Sequence, residues 1–146
     1  MRALSLTQPW ASAVALGFKQ WETRSWPTGF RGEVCIHAAK GFPRWAKDFM
    51  QCQRISPMFP PMPPPLGSIV CVCQITECRR TQDIREELSE QERLFGDYED
   101  GRYAFKLERV RRLVTPIPAR GALGIWSVGW DEALAVCRQL KTLEAA

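Results

Sequence analysis

Lys19-Gln20-Trp21-Glu22-Thr23-Arg24-Ser25-Trp26 is the first string whose residue types could do chemistry. On a strand, Glu22 and Arg24 project to one side, near enough for a charge-assisted pair that fixes both groups in orientation. Such a pair either recognises a polar ligand or serves as an ion pair on a sheet face. Lys19 reaches the same ligand if the strand begins near Gln20. A second string, His37-Ala38-Ala39-Lys40-Gly41, puts the single histidine at the end of an apparent strand, where binding groups collect. That histidine is either a ligand-binding group or a packed, hydrogen-bonded one. No Asp or Ser stands at a spacing that identifies a triad.

Charge supplies the third signal. Arg102 to Arg120 holds six basic residues and one acid, a balance of +5. It follows Asp83 to Asp100, with eight acids and two arginines, a balance of −6. A cationic strip with Trp10, Trp26, Tyr103 and Trp126 for stacking matches the way single-stranded nucleic acid is held. The alternative is that Arg109, Arg111 and Arg112 neutralise the acidic stretch while the tryptophans are core, which is the expectation for Trp126. Two of the cysteines read as packing. Cys71 and Cys73 lie on one face of the apolar run Ile69 to Ile75, and no second ligand pair accompanies them. No metal and no cofactor is expected.

These groups need elements to position them. Thr7 can cap a short helix with Pro9 in its first turn, ended by Gly17 in a left-handed position, with Trp10, Ala13, Val14 and Leu16 as its apolar stripe. Residues 18–26 read as extended. A turn bracketed by Gly29 and Gly32 leads to a buried strand, Glu33 to Ala38. Pro43 to Met50 suits a short helix with Trp45 and Phe49 on one side. Six prolines between Pro57 and Pro65 make a loop of polyproline character, which either lies in solvent or docks a protein partner. Ile69 to Ile75 follows as a strand, and the acidic stretch as a helix with a turn at Gly96. Arg102 to Glu108 alternates, with Tyr103, Phe105 and Leu107 on one face. Pro116 and Pro118 should break the chain before a strand at Leu123 to Val128. A helix over 131–143 closes the sequence, with Leu134, Cys137 and Leu140 along its apolar stripe. The 146 residues and formal net charge of +4 suit one domain, and the charge alone does not argue for a polyanionic partner. No apolar run is long enough for a membrane span, and without a signal peptide the thiols are expected reduced, in a cytoplasm.

Taken together and in order, Leu4-Ser5-Leu6-Thr7-Gln8-Pro9-Trp10-Ala11, Gly17-x-Lys19, Glu22-Thr23-Arg24-Ser25-Trp26 and Arg31-Gly32-x-x-x-Ile36-His37-Ala38-x-Lys40 resemble the ASCH domain family of the PUA-like superfamily. Gly96-Asp97-Tyr98, Gly101-Arg102-Tyr103-Ala104-Phe105, Pro116-Ile117 and Gly121-x-x-Gly124-Ile125-Trp126 extend the likeness over residues 3–128. The resemblance implies an α+β fold, a small PUA-like β-barrel of five to six strands with peripheral helices, forming one domain over 1–146. It implies RNA or nucleotide handling in a cleft beside the barrel, with single-stranded or modified RNA as the partner. Lys19, Glu22 and Lys40 are then the candidate acid/base groups, and Trp10, Arg24, Trp26, His37, Tyr103 and Arg102 the candidate nucleic-acid contacts. Two hydrolytic activities are associated with similar domains: cleavage of single-stranded RNA, and deacetylation of acetylated cytidine. The amidohydrolase lysine falls on Lys19, its glutamate on Glu92 and its nucleophilic threonine on Glu22. A carboxylate there departs from that pattern, because it cannot replace the hydroxyl. A protein-interaction adaptor acting through the proline loop and the acidic stretch is a further reading.

Overall fold

The structure, a computed structural model, describes residues 1–146. Two long antiparallel strands, β4 (Ser68–Arg80) and β5 (Tyr103–Pro118), form its centre. Around them lie β1 (Arg2–Leu6), β2 (Trp21–Arg24), β3 (Gly32–Ala38) and β6 (Ile125–Ser127), in one sheet of order β2-β5-β4-β3-β1-β6. Only β1 and β3 pair in parallel. The register between β4 and β5 slips three times, and Arg109 sits in the left-handed region at φ 54° within one of these bulges. Each bulge bends its strand and increases the twist. The outcome is a half-barrel: the side chain of Arg24, on edge strand β2, reaches the backbone of β1 across the concave face. The expected PUA-like barrel of five to six strands is therefore present as a curled six-stranded sheet whose edge strands are not paired to each other.

Strand alternation sorts the apolar residues onto two faces. Val34, Ile36, Leu4, Leu6, Cys71, Cys73, Phe105 and Leu107 face inward and pack on Ala11 and Val14 of α1 (Trp10–Ala15). Ala3, Cys35, Ile69, Val72, Leu113 and Ile117 face outward and are covered by Val136 and Leu140 of α5 (Trp130–Ala145). Cys71 and Cys73 pack as expected, and burial pushes the thiols of Cys35 and Cys73 up to about 12, far from thiolate character. Of the stripe expected on α5, Leu140 is buried, while Leu134 and Cys137 are corrected to solvent-facing. Val136 is the other buried residue, because the sheet meets the helix along an i, i+4 line.

Local departures from the sequence reading have local causes. Gly17, at φ 87°, ends α1 as expected. At the other end the cap comes from Gln8, whose Oε1 accepts from Ser12 N at 2.9 Å, and not from Thr7. Buried Gln8 also donates to Pro65 O at 2.9 Å, which ties the proline loop to α1. The acidic stretch is not one helix. It folds as α3 (Thr81–Ile84), a 3-10 turn at Arg85–Glu87 and α4 (Glu90–Leu94). The restart occurs at Ser89, whose hydroxyl accepts from Glu92 N at 3.1 Å, a cap that outcompetes helix continuation. Pro116 and Pro118 do not break β5. Ala119 N donates to Gly67 O, so positions 116 and 118 turn their missing N–H toward the edge that β2 leaves open. The basic run Arg102 to Arg120 forms no continuous strip, since Arg111 is paired with Glu33 and Glu144, and Lys106 with Glu77 and Glu108. No helix is long and apolar enough to cross a membrane.

Phe105 is fully buried at the centre of the inner core. Phe105→Ala should cost about 3–5 kcal/mol of unfolding free energy, measured by urea denaturation; a loss under about 1 kcal/mol would contradict this packing.

Candidate functional site

The strand that carries Glu22 starts at Trp21, so Lys19 lies just before it and folds beneath it. Lys19 is 1% exposed. Its Nζ donates to Trp21 O at 2.5 Å and Phe95 O at 3.0 Å, and stands 3.2 Å from Glu22 Oε1. The other carboxylate oxygen of Glu22 accepts from Arg24 Nε at 2.8 Å, and Arg24 Nη2 donates to Ser5 O at 2.7 Å. One carboxylate thus holds two cations, and the second cation clasps β1. The charge-assisted pair expected from the i, i+2 spacing is present, and the buried lysine is added to it.

This chain of contacts floors a cleft of about 520 Å³. One wall is aromatic: Trp10 stacks on Phe49 of α2 (Arg44–Gln51), centroids 4.9 Å apart and 15° between planes. Trp45, on the same helix, tilts at 43° over Trp10 at 5.5 Å and is 62% exposed at the mouth. The opposite wall is Leu94 to Asp97, with Arg102 beside it at 3.4 Å from Asp97. Thr23 Oγ1 accepts from Asp97 N at 3.1 Å and so fixes that wall to β2. The charges in the cleft are matched, Arg24 with Glu22 and Arg102 with Asp97.

Behind Lys19 lies Glu92, the glutamate to which the amidohydrolase likeness pointed. Its Oε1 accepts from Gln20 N at 2.7 Å, and its Oε2 is buried with no partner. Burial raises its carboxyl above the usual range, opposed by the Gln20 N–H, the Lys19 charge and the Trp21 backbone. It faces away from the cleft, onto a hollow shared with Phe18, Leu88 and Lys106.

Of the residues singled out in the sequence, the structure brings Trp10, Glu22, Arg24 and Arg102 to the cleft, with Lys19 sealed under its floor. Trp26 and Tyr103 pack on the inner core instead, Trp26 edge-on to Phe105 at 5.3 Å with the Arg24 guanidinium over it at 5.9 Å. His37 is 2% exposed with both ring nitrogens engaged, Nδ1 with Ser5 Oγ at 2.9 Å and Nε2 with Ala119 O at 2.7 Å. A carbonyl only accepts, so the proton sits on Nε2, and Ser5 donates to Nδ1 while accepting from Trp126 Nε1 at 3.0 Å. His37 is therefore a brace, contrary to its expected role as a ligand contact. Lys40 is absent from the cleft and lines a second hollow on the far side of Ser5. Trp45, Phe49 and Asp97 are cleft residues that the sequence did not single out. The shared face of Trp45 and Phe49 was the one signal available for the first two.

A family model described as the ASCH domain matches residues 4–117. "Activating signal cointegrator 1" of Homo sapiens is 25% identical over 130 residues, covering 86% of this chain and 22% of that protein. The Mus musculus protein of that name matches with the same identity and coverage. The chain thus spans about a fifth of the length of the curated relatives it matches. Among solved structures, an ASCH protein from Zymomonas mobilis superposes with a TM-score of 0.58 at 16% identity, over 94% of this chain and 93% of that one. This likeness extends to the fold.

Two expectations follow from the buried charges. Lys19→Met leaves Glu22 short of one cation and two carbonyls without a donor, and should cost about 3–5 kcal/mol in urea unfolding; a near-neutral change would contradict the arrangement. Glu92 has a folded pKa above its unfolded value, so its contribution is complete below the unfolded value and is lost as pH rises through the folded one. Wild type should therefore lose stability relative to Glu92→Gln as pH rises above about 4, with a flat difference counting against it.

Proposed function

This chain belongs to the ASCH domain family, and from that premise we propose that its cleft binds a base of single-stranded or modified RNA, or of a nucleotide. The observation that carries the reading is a fixed carboxylate–guanidinium pair facing an aromatic wall. Trp10 and Trp45 offer flat apolar faces on which a base stacks. Glu22, held by Lys19 and Arg24, accepts from the N–H edge of that base, and the remaining donors of Arg24 meet its carbonyl or ring nitrogen. Because the acceptor and donor are already oriented by their mutual pair, little is lost in ordering them on binding. The chain acts as one domain through α5, whose Val136 and Leu140 cover the outer face of the sheet.

Binding is preferred to hydrolysis on the geometry of Lys19. Its Nζ is occupied by two carbonyls and a carboxylate beneath the floor, which makes it a positioning residue for Glu22. A general base must reach the proton it takes, and this ammonium faces the protein.

Fluorescence anisotropy with a labelled single-stranded RNA tests the reading. Trp45→Ala should weaken binding by about 5- to 100-fold, the value of one stacked base. Arg24→Ala should weaken it at least as far, since it also frees Glu22. Wild-type affinity in both variants would sink the proposal, and RNA shortened during the incubation would replace binding with turnover.

A further inference from the structure

The cleft has a neighbour. Ser5 lines both the cleft and a second, open hollow of about 980 Å³, bounded by His37, Ala39, Lys40, Gly67 and residues 118–123. The two meet at the end of β1, where Ser5 lines both. Their electrostatics differ in kind. In the cleft each cation has its carboxylate, so its charge is used up in orienting polar groups and none is left to hold a phosphate. In the hollow, Lys40 and Arg120 are exposed and belong to no ion pair. The one carboxylate among its lining residues, Glu132, turns back on its own helix start, where a Cβ on Gly129 would lie 2.5 Å from its Oε2.

The wall between the two sites is also built with care. Gly121 approaches so closely that a Cβ there would lie 2.7 Å from His37 Cε1 and 2.8 Å from Ser5 Oγ. That approach, with His37 Nε2 bonded to Ala119 O, holds the segment carrying Arg120 against the end of β1. His37, which the cleft does not use, has its physical reason here. Through Ser5 it joins the floor of one site to the rim of the other.

We propose that this hollow is a phosphate subsite that continues the cleft, in which Lys40 and Arg120 hold the backbone of a single strand whose base occupies the cleft. The inference rests on the reading of the cleft given above and deepens it: the ligand is a polynucleotide strand and not an isolated nucleotide. Division of labour between matched charges at the base and free cations at the backbone is what this requires, because backbone contacts position and base contacts specify.

The test compares two probes, a nucleoside monophosphate and a single-stranded RNA octamer, on wild type and on Lys40→Ala/Arg120→Ala. Both side chains are exposed, and an unchanged thermal midpoint confirms folding. Octamer affinity should exceed monophosphate affinity in wild type. In the double variant octamer affinity should fall about tenfold or more, with the slope of log K against log salt reduced by about 0.7 for each lost phosphate contact. Monophosphate affinity should fall by less than octamer affinity, and Lys40→Arg/Arg120→Lys should keep wild-type behaviour. Equal wild-type affinity for both probes, or an octamer affinity and slope untouched by the double variant, overturns the subsite while leaving the cleft reading intact. Failure of both probes to bind wild type overturns both.

Discussion

One carboxylate, Glu22, organises this molecule. It lies between a lysine buried below it and an arginine beside it, and the arginine reaches across the concave face to the carbonyl of Ser5. Each part depends on the others. A buried ammonium is costly unless charged and polar partners surround it, and here they do: Glu22, Trp21 O and Phe95 O. An arginine clasped to a backbone carbonyl keeps one plane only if its other edge is held, which Glu22 does. The clasp joins an edge strand to the strand one in from the opposite edge, so the same contact that orients the cleft floor also fixes the curl of the sheet.

The curl has its own cause in the bulged pairing of β4 with β5. A straight pair of that length would make a flat sheet, and α1 would have no concavity to fill. Bending allows one sheet to serve two cores, an inner one around α1 and an outer one under α5, and it leaves the ends of β1 and β3 open for loops to gather. The sites lie at that end. The proline loop is tied down by the buried amide of Gln8, which fixes the flank of α1 beneath the aromatic wall.

Several features were legible because they depend on neighbours in the chain. Glu22 and Arg24 share a strand face by alternation, Gly17 ends a helix because it tolerates positive φ, and Cys71 and Cys73 pack because they alternate within an apolar run. The motif order was enough to identify the family and its fold class. Others were not legible. The Ser89 cap was written in the sequence as a Ser-x-x-Glu string, yet the density of acids masked it as one helix. The phase of α5 depends on where the sheet meets it, which no helical period states. The tolerance of the β5 prolines depends on an edge that exists only once β2 has stopped short.

The basic run marks the boundary most clearly. Read linearly, Arg102 to Arg120 promised a cationic surface beside an acidic one. Folding pairs Arg111 with Glu33 and Glu144, distant in sequence, and pairs Arg102 with Asp97 in the cleft. It also places Lys40 and Arg120 on one hollow, with no ion-pair partner for either. The sequence by itself determined which groups exist, which of them share a strand or a turn, and which family they compose. The tertiary structure alone decided which charges are neutralised, which partners the two histidine nitrogens find and which tryptophan faces solvent. The reason is physical: charge and stacking act between groups within a few ångströms, and distance along the chain does not set that separation.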